Sequence, residues 1–318
     1  RLNIRPARES NTPKSYPMKK ISITGALFVF IVLIISFLGC KKNSSPTGSY
    51  PEIQAKFAGR IDPSNLANYA NQGKPTYIVK DNSAGNNITD AKATLGRVLF
   101  YDKQLSIDNT VACGSCHIQK FAFGDTALAS AGVQGGLTGR HSMRLINARF
   151  ANEVKFFWDE RAASLEQQTT KPIQDHAEMG FSGQNGRPNL AALLTKLSNI
   201  GYYKELFQFV YGDQNITEPR MQECLSQFVR SIQSFDSKYD AGRALAPDNQ
   251  PFANFTQQEN LGKNLFLTPP QFNASGVRIG GGLGCGGCHA APEFDIDPNS
   301  GNNGIIGVLN GTGMDINN

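Results

Sequence analysis

Two short runs carry the residues best able to do chemistry. Cys113, Cys116 and His117 stand in "CGSCH", and Cys285, Cys288 and His289 stand in "CGGCH". Paired cysteines hold structural zinc, but a closed zinc site needs four ligands, and the two other histidines do not supply a matched pair near either run. A dithiol redox pair does not require a histidine directly after it. Covalent haem attachment requires all three residues. Two thiols three positions apart match the vinyl groups of one porphyrin edge, and the adjacent histidine coordinates iron from one side. The spacing therefore points to two c-type haems. Phe121 and Phe294 follow the motifs closely enough to pack on a ring.

These sites need a folded, exported body. Of 31 basic and 26 acidic side chains, six and one lie before residue 40, leaving 25 of each and no net charge. A neutral body has no broad basic face for phosphate backbones, which argues against nucleic acid as a partner. At the front, Lys19 and Lys20 precede the 18 uncharged residues "ISITGALFVFIVLIISFL" and then Gly39-Cys40. A basic start, an apolar run and a small residue make an export signal; the alternative is a membrane-spanning anchor. "FLGC" resembles a bacterial lipobox, which makes Cys40 a lipidation site and tethers the exported body to a membrane, the outer membrane being the expected one. Residues 1–17 read as upstream of the natural start at Met18, 18–39 as a lipoprotein signal peptide, and 40–84 as a tether and irregular lead-in. Cys224 falls within an apolar helical stripe and reads as a small buried side chain.

The elements that must position the motifs are mostly helices. Thr89 caps a run whose Leu95, Val98 and Leu99 fall at helical spacing. Leu190, Leu193, Leu194 and Leu197 repeat that pattern. "TEPRMQECLSQFVRSIQSFDSKYD" reads as the clearest helix, with Thr217 as cap, Pro219 in its first turn and Met221, Leu225, Phe228, Val229, Ile232 and Phe235 along one face. Residues 50–88 show no firm pattern. "TDAKATLGRVLF" before the first motif and "TQQENLGKNLF" before the second share Leu-Gly-basic-x-Leu-Phe. A helix, a loop and paired cysteines, twice over, imply related units. The expectation is a mainly α chain of two cytochrome c-like haem domains in tandem, 85–246 and 247–318, the second incomplete.

The segments "LGRVLFYDKQLS", "CGSCH" with "FAFGD", "FFWDERAASLEQQ", "PIQDHAEMG" and "GCGGCHAAPEF" closely resemble, in order, the bacterial dihaem cytochrome c peroxidase/MauG family. That resemblance implies that His117 is the proximal ligand of a peroxide-reacting haem and His289 that of an electron-entry haem. It implies catalytic roles for Gln168 and Glu178 on the distal side, and for Trp158 on the electron path between the haems. A carboxylate within one hydrogen bond can move the proton that peroxide cleavage requires, and an amide can orient the oxygens. Taken singly, Glu178 could be a solvated surface acid, Gln168 a helix-face amide and Trp158 plain core.

Departures from the family pattern refine the expectation. "SAGVQGGLTGR" lacks the histidine that ligates the resting peroxidatic iron in many members, so the first haem is expected to be open without prior reduction. His141 stands about where relatives carry an asparagine that helps to bind interdomain calcium, which counts against calcium and leaves His141 as a structural donor or a substitute iron ligand. His176 either tunes Glu178 or is an ordinary loop histidine. Glu160 replaces the usual glycine. Met314 precedes the segment that carries the second haem's distal Met or Tyr. The reading implied is a dihaem peroxidase that reduces hydrogen peroxide with electrons from a small periplasmic donor, a monohaem cytochrome or copper protein. The alternatives are a MauG-like oxidase of a protein or organic substrate and a non-catalytic dihaem electron-transfer cytochrome.

Overall fold

The computed structural model describes residues 49–152, 155–296, 306–310 and 313–316; the export signal and Cys40 lie outside the described residues. Nine helices and three two-stranded hairpins are present among them. In chain order the helices are α1 (Pro51–Phe57), α2 (Asp90–Tyr101), the single turn α3 (Cys113–Cys116), α4 (Leu165–Gln174), α5 (Leu190–Ser198), α6 (Gly201–Tyr211), α7 (Glu218–Arg230), α8 (Lys238–Arg243) and α9 (Gln257–Leu267). The strands are β1 (Pro270–Phe272) with β2 (Arg278–Gly281), β3 (His289–Ala290) with β4 (Asp295–Ile296), and β5 (Ile306–Asn310) with β6 (Gly313–Ile316). Every pair is antiparallel, and the chain is mainly helical.

Side-chain caps start the helices where the sequence placed them. The Thr89 hydroxyl accepts from Lys92 N–H at the head of α2, and Thr217 accepts from Arg220 N–H at the head of α7. Each satisfies a donor that the first turn cannot. The apolar faces then meet in one core. Leu95, Leu99 and Phe100 of α2 pack with Met221, Cys224, Leu225 and Phe228 of α7, all of them buried. Burying each leucine stabilises by about 1.5–3 kcal/mol. Gly96 is the crossing point: a Cβ there would lie 1.9 Å from the Cys224 carbonyl oxygen. The two backbones touch because that position carries no side chain.

Two expectations need correction. The helix beginning at Thr217 ends at Arg230 instead of running to residue 240; Ser231 closes it, and Ser237 with Asp240 forms a capping box that starts α8. A serine three residues before an aspartate offers the backbone a fresh start, and that outweighs the continuing periodicity. Phe235, in the gap, packs on Phe150 at 5.2 Å instead. In the patternless lead-in, α1 forms and Ile53 and Ile78 are buried at 0% and 1% exposure. One apolar residue per turn of a short helix is too little for periodicity to register.

A buried ion pair fixes α4 on α7. The Arg230 guanidinium donates to both carboxylate oxygens of Glu166, and Asn86 and Ser226 add to the same carboxylate. Burial works to raise the Glu166 carboxyl, but the bonds from Arg230 and Asn86 overcome it and hold the group at about 2. This is the expected state of a buried charge that keeps its partners. The elements carrying the candidate site therefore rest on one rigid pair.

Candidate haem and peroxide site

The first cysteine motif is organised before any cofactor is considered. Cys113 and Cys116 are free thiols on one helical turn. The segment after it folds back tightly: Ile118 N–H donates to Gly124 O at 2.9 Å, with Ala122 and Phe123 both left-handed. That turn brings the Phe123 carbonyl to His117, whose Nδ1–H donates to it at 2.8 Å. A carbonyl can only accept, so the proton sits on Nδ1 and the Nε2 lone pair is left for a metal. Burial lowers the ring's pKa and favours this neutral form, outweighing the backbone groups of Phe123 and Met143 and the Asp125 charge, which favour the protonated one. Tyr101, Phe121 and Met143 expose 45%, 36% and 37% of their surface, apolar area of the kind a porphyrin covers. Two free thiols, an oriented imidazole and exposed aromatic faces fit a c-type haem.

Glu178 lies close enough to the first motif for its charge to act on Cys113 and Cys116. It lies in the loop after α4, where the Asp175 carboxylate accepts the backbone N–H groups of Ala177 and Glu178 at 2.8 and 3.0 Å. The glycine-rich segment 131–136 clamps that loop. Val133 N–H donates to Glu178 O at 3.0 Å, and a Cβ on Gly132 would lie 1.8 Å from the Ala177 carbonyl oxygen. Burial, followed by the Asp175 charge, pushes the Glu178 carboxyl up to about 7, with Arg161 opposing. Its charge reaches the motif cysteines. Burial above all, with smaller contributions from Cys116 and Glu178, pushes the Cys113 thiol up to about 12. A carboxyl raised towards neutrality in this way is chemically able to take and return a proton at working pH.

The other sequence candidates take varied places. Gln168 is half-buried on α4, and its side-chain amide makes no hydrogen bond among the described residues. Trp158 is not core: it is 46% exposed, and its indole N–H donates to the His141 carbonyl at 2.9 Å. His141 bonds through Nδ1 to the Ala127 carbonyl at 2.8 Å, the same arrangement that orients His117. His176 bonds the Ser182 hydroxyl at 3.0 Å and holds the loop; the charges that move Glu178 are those of Asp175 and Arg161. Glu160 has φ +54° in the tight turn closed by the Phe156–Ala162 bridge, so the usual glycine has a conformational reason there. A non-glycine residue in that region costs about 1–2 kcal/mol. Cys224 is fully buried beside the Tyr211 hydroxyl and, chiefly through burial, is pushed up to about 12, an inert thiol.

The second motif is looser. Cys285 is half-buried and Cys288 and His289 are exposed. Phe266 lies 6.4 Å from the His289 ring and 5.8 Å from Phe294, as Phe100 lies 6.3 Å from His117 and 6.2 Å from Phe123. Among the described residues no group of three or more His, Cys, Asp and Glu could hold a metal ion by itself, and no helix is long and apolar enough to cross a membrane.

Sequence reasoning missed Asp175, Arg161 and the Phe123 carbonyl. An aspartate three residues before a glutamate, after a helix, is a signal that could have found the first. The other two are fixed by folding.

Residues 90–246 match the family model described as di-haem cytochrome c peroxidase. Among curated proteins, the methylamine utilization protein MauG of Methylophilus methylotrophus is 32% identical over 67% of this chain and 56% of its own length. The cytochrome c551 peroxidase of Nitrosomonas europaea is 27% identical over 63% of this chain and 52% of its own. The chain thus spans about half the length of these relatives. A solved MauG-like protein associated with microbial copper homeostasis aligns with TM-score 0.51 and 29% identity over 62% of this chain and 54% of that one. A variant of the diheme peroxidase BthA of Burkholderia thailandensis shares the fold, with TM-score 0.52 at 22% identity over 73% of this chain and 57% of that one.

Proposed function

The chain belongs to the dihaem cytochrome c peroxidase family, and from that premise we propose that it reduces hydrogen peroxide to water. Electrons enter from a small carrier at the haem of Cys285, Cys288 and His289 and pass by way of Trp158 to the haem of Cys113, Cys116 and His117. When bound, the haems supply electron storage and the iron at which peroxide is cleaved. The chain's own residues supply the rest. The Phe123 carbonyl fixes the His117 tautomer. Glu178 takes a proton from one peroxide oxygen and delivers it to the other, which departs as water, while the Gln168 amide orients the pair. The balance is H2O2 plus two electrons and two protons giving two waters. The proposal includes the export signal and Cys40 anchor, which place the enzyme in the periplasm on a membrane, and it includes no calcium.

The observation that supports this reading is the Glu178 carboxyl, raised to about 7 and close enough for its charge to act on the first motif's cysteines. The test is steady-state peroxide turnover by the full-length holoprotein with a reduced monohaem cytochrome or copper protein. Turnover that survives intact in Glu178→Gln removes the acid/base. The MauG-like oxidase reading is favoured by the 32% identity to a MauG protein. Oxidation of a protein or organic substrate by peroxide, with no carrier required, would establish it instead.

A further inference from the structure

We propose that Lys80, Glu293 and Asp295 form a buried ion triad that positions the second haem motif and sets the charge, and hence the reduction potential, around its haem. The inference rests on the reading that a haem is carried at Cys285, Cys288 and His289.

Lys80 Nζ lies 3.3 Å from Glu293 Oε2 and 2.5 Å from Asp295 Oδ1. The three side chains are 16%, 2% and 8% exposed. Backbone groups complete the cluster. Val79 N–H donates to Glu293 Oε1 at 3.3 Å, and Asn152 N–H donates to Asp295 Oδ2 at 2.8 Å. The ion pairs join chain positions more than two hundred residues apart, so they fasten the second motif to the lead-in and to the segment that runs towards Trp158. Both carboxylates belong to the loop that returns on the haem ligand. In the β3–β4 ladder His289 pairs with Ile296 and Ala290 with Asp295, and Phe294 N–H donates to the Ala290 carbonyl at 2.7 Å.

The charges do not cancel. One ammonium meets two carboxylates, and Glu293 Oε2 is buried with the ion pair but no hydrogen bond. Without Lys80 both carboxylates are left with little solvent, a state that costs several kcal/mol unless the loop moves. Charge at such a place acts on iron through a lower effective dielectric than water, and negative charge favours the ferric form. The first motif has no carboxylate at the corresponding places: four and six residues after His117 stand Phe121 and Phe123, where Glu293 and Asp295 follow His289, and its nearby Asp125 accepts from Ser130 and is in no ion pair with a lysine or arginine among the described residues. Lys80 therefore acts through the carboxylates as a positioning residue and never touches the substrate.

The test uses the full natural chain as holoprotein, with Lys80→Met, Lys80→Arg, Glu293→Gln and the Lys80→Met/Glu293→Gln pair. Haem content, a spectroelectrochemical titration of each haem, and amide exchange across residues 289–296 are measured. Lys80→Met is expected to lower the second haem's midpoint alone and speed exchange of that segment, and Lys80→Arg to restore both. Glu293→Gln raises the midpoint, and the pair, which restores the original net charge, returns it near the starting value. Two haems with unmoved midpoints in both Lys80→Met and Glu293→Gln overturn the triad, as does an equal shift of both haems. If Lys80→Met does not fold, the upward shift in Glu293→Gln decides. A chain that binds a single haem overturns the dihaem reading and the triad with it. Two haems and the expected shifts, without peroxide turnover, overturn only the peroxidase reading.

Discussion

The chain uses one device twice, and the two copies differ in what covers them. In the first, Leu95 and Leu99 of the shared Leu-Gly-basic-x-Leu-Phe run are fully buried, and Gly96 lies against the α7 backbone. In the second, Leu261 is 56% exposed, a Cβ on Gly262 would meet nothing within 4 Å, and α9 buries no residue. The motif histidines follow suit. His117 is held by the Phe123 carbonyl, whereas His289 is exposed on β3. The shared pattern thus gives a threonine-capped helix in both copies, with Thr256 and Glu259 forming a capping box in the second. Rigidity comes from the partner helix. The first copy is a preorganised site, and the second is fixed through charge at Lys80.

The largest test of this contrast lies in chemistry. Glu178→Gln is expected to lower peroxide turnover by about 10²–10⁴-fold while leaving electron uptake at the second haem unchanged; stopped-flow measurements separate the two. Stability should divide the copies next. Gly96→Val forces a side chain into the Cys224 carbonyl and is expected to cost at least about 1–3 kcal/mol in denaturant unfolding. Gly262→Ala, in an open helix interior, should stabilise by about 0.5–1 kcal/mol, so a loss there would show that the second helix is covered after all.

The pH dependence is a finer probe. On the proposed peroxidase reading Glu178 accepts the peroxide proton in its ionised form, so kcat/KM should fall about tenfold per unit below pH 7 and level off above it. The sign for stability is opposite. A carboxyl raised above its unfolded value favours the fold while protonated, and that contribution is lost as pH rises from about 4.5 through about 7. Glu178→Gln should therefore stabilise the chain at pH 8, on the order of 3 kcal/mol, and leave it little changed at pH 4. The smallest effect expected is at the turn holding Trp158. Glu160→Gly removes a left-handed glutamate and should stabilise by about 1 kcal/mol, read as a small rise in Tm.

The sequence by itself determined whatever depends on near neighbours. Two thiols and an imidazole at fixed spacing, a threonine before an apolar-periodic run, and the Leu-Gly-basic-x-Leu-Phe repeat are local patterns, and each motif, cap and helix start appeared where its residues required. Where local cues competed, periodicity misled: the Ser237–Asp240 capping box broke the helix that the apolar stripe extended. Tertiary structure alone decided the rest. The Glu178 carboxyl is poised near 7 because folding buries it beside Asp175. Gly96 differs from Gly262 because α7 crosses only the first helix among the described residues. Lys80 finds Glu293 and Asp295 from the far end of the chain. Burial and long-range charge are properties of the assembled core, so no window of sequence contains them.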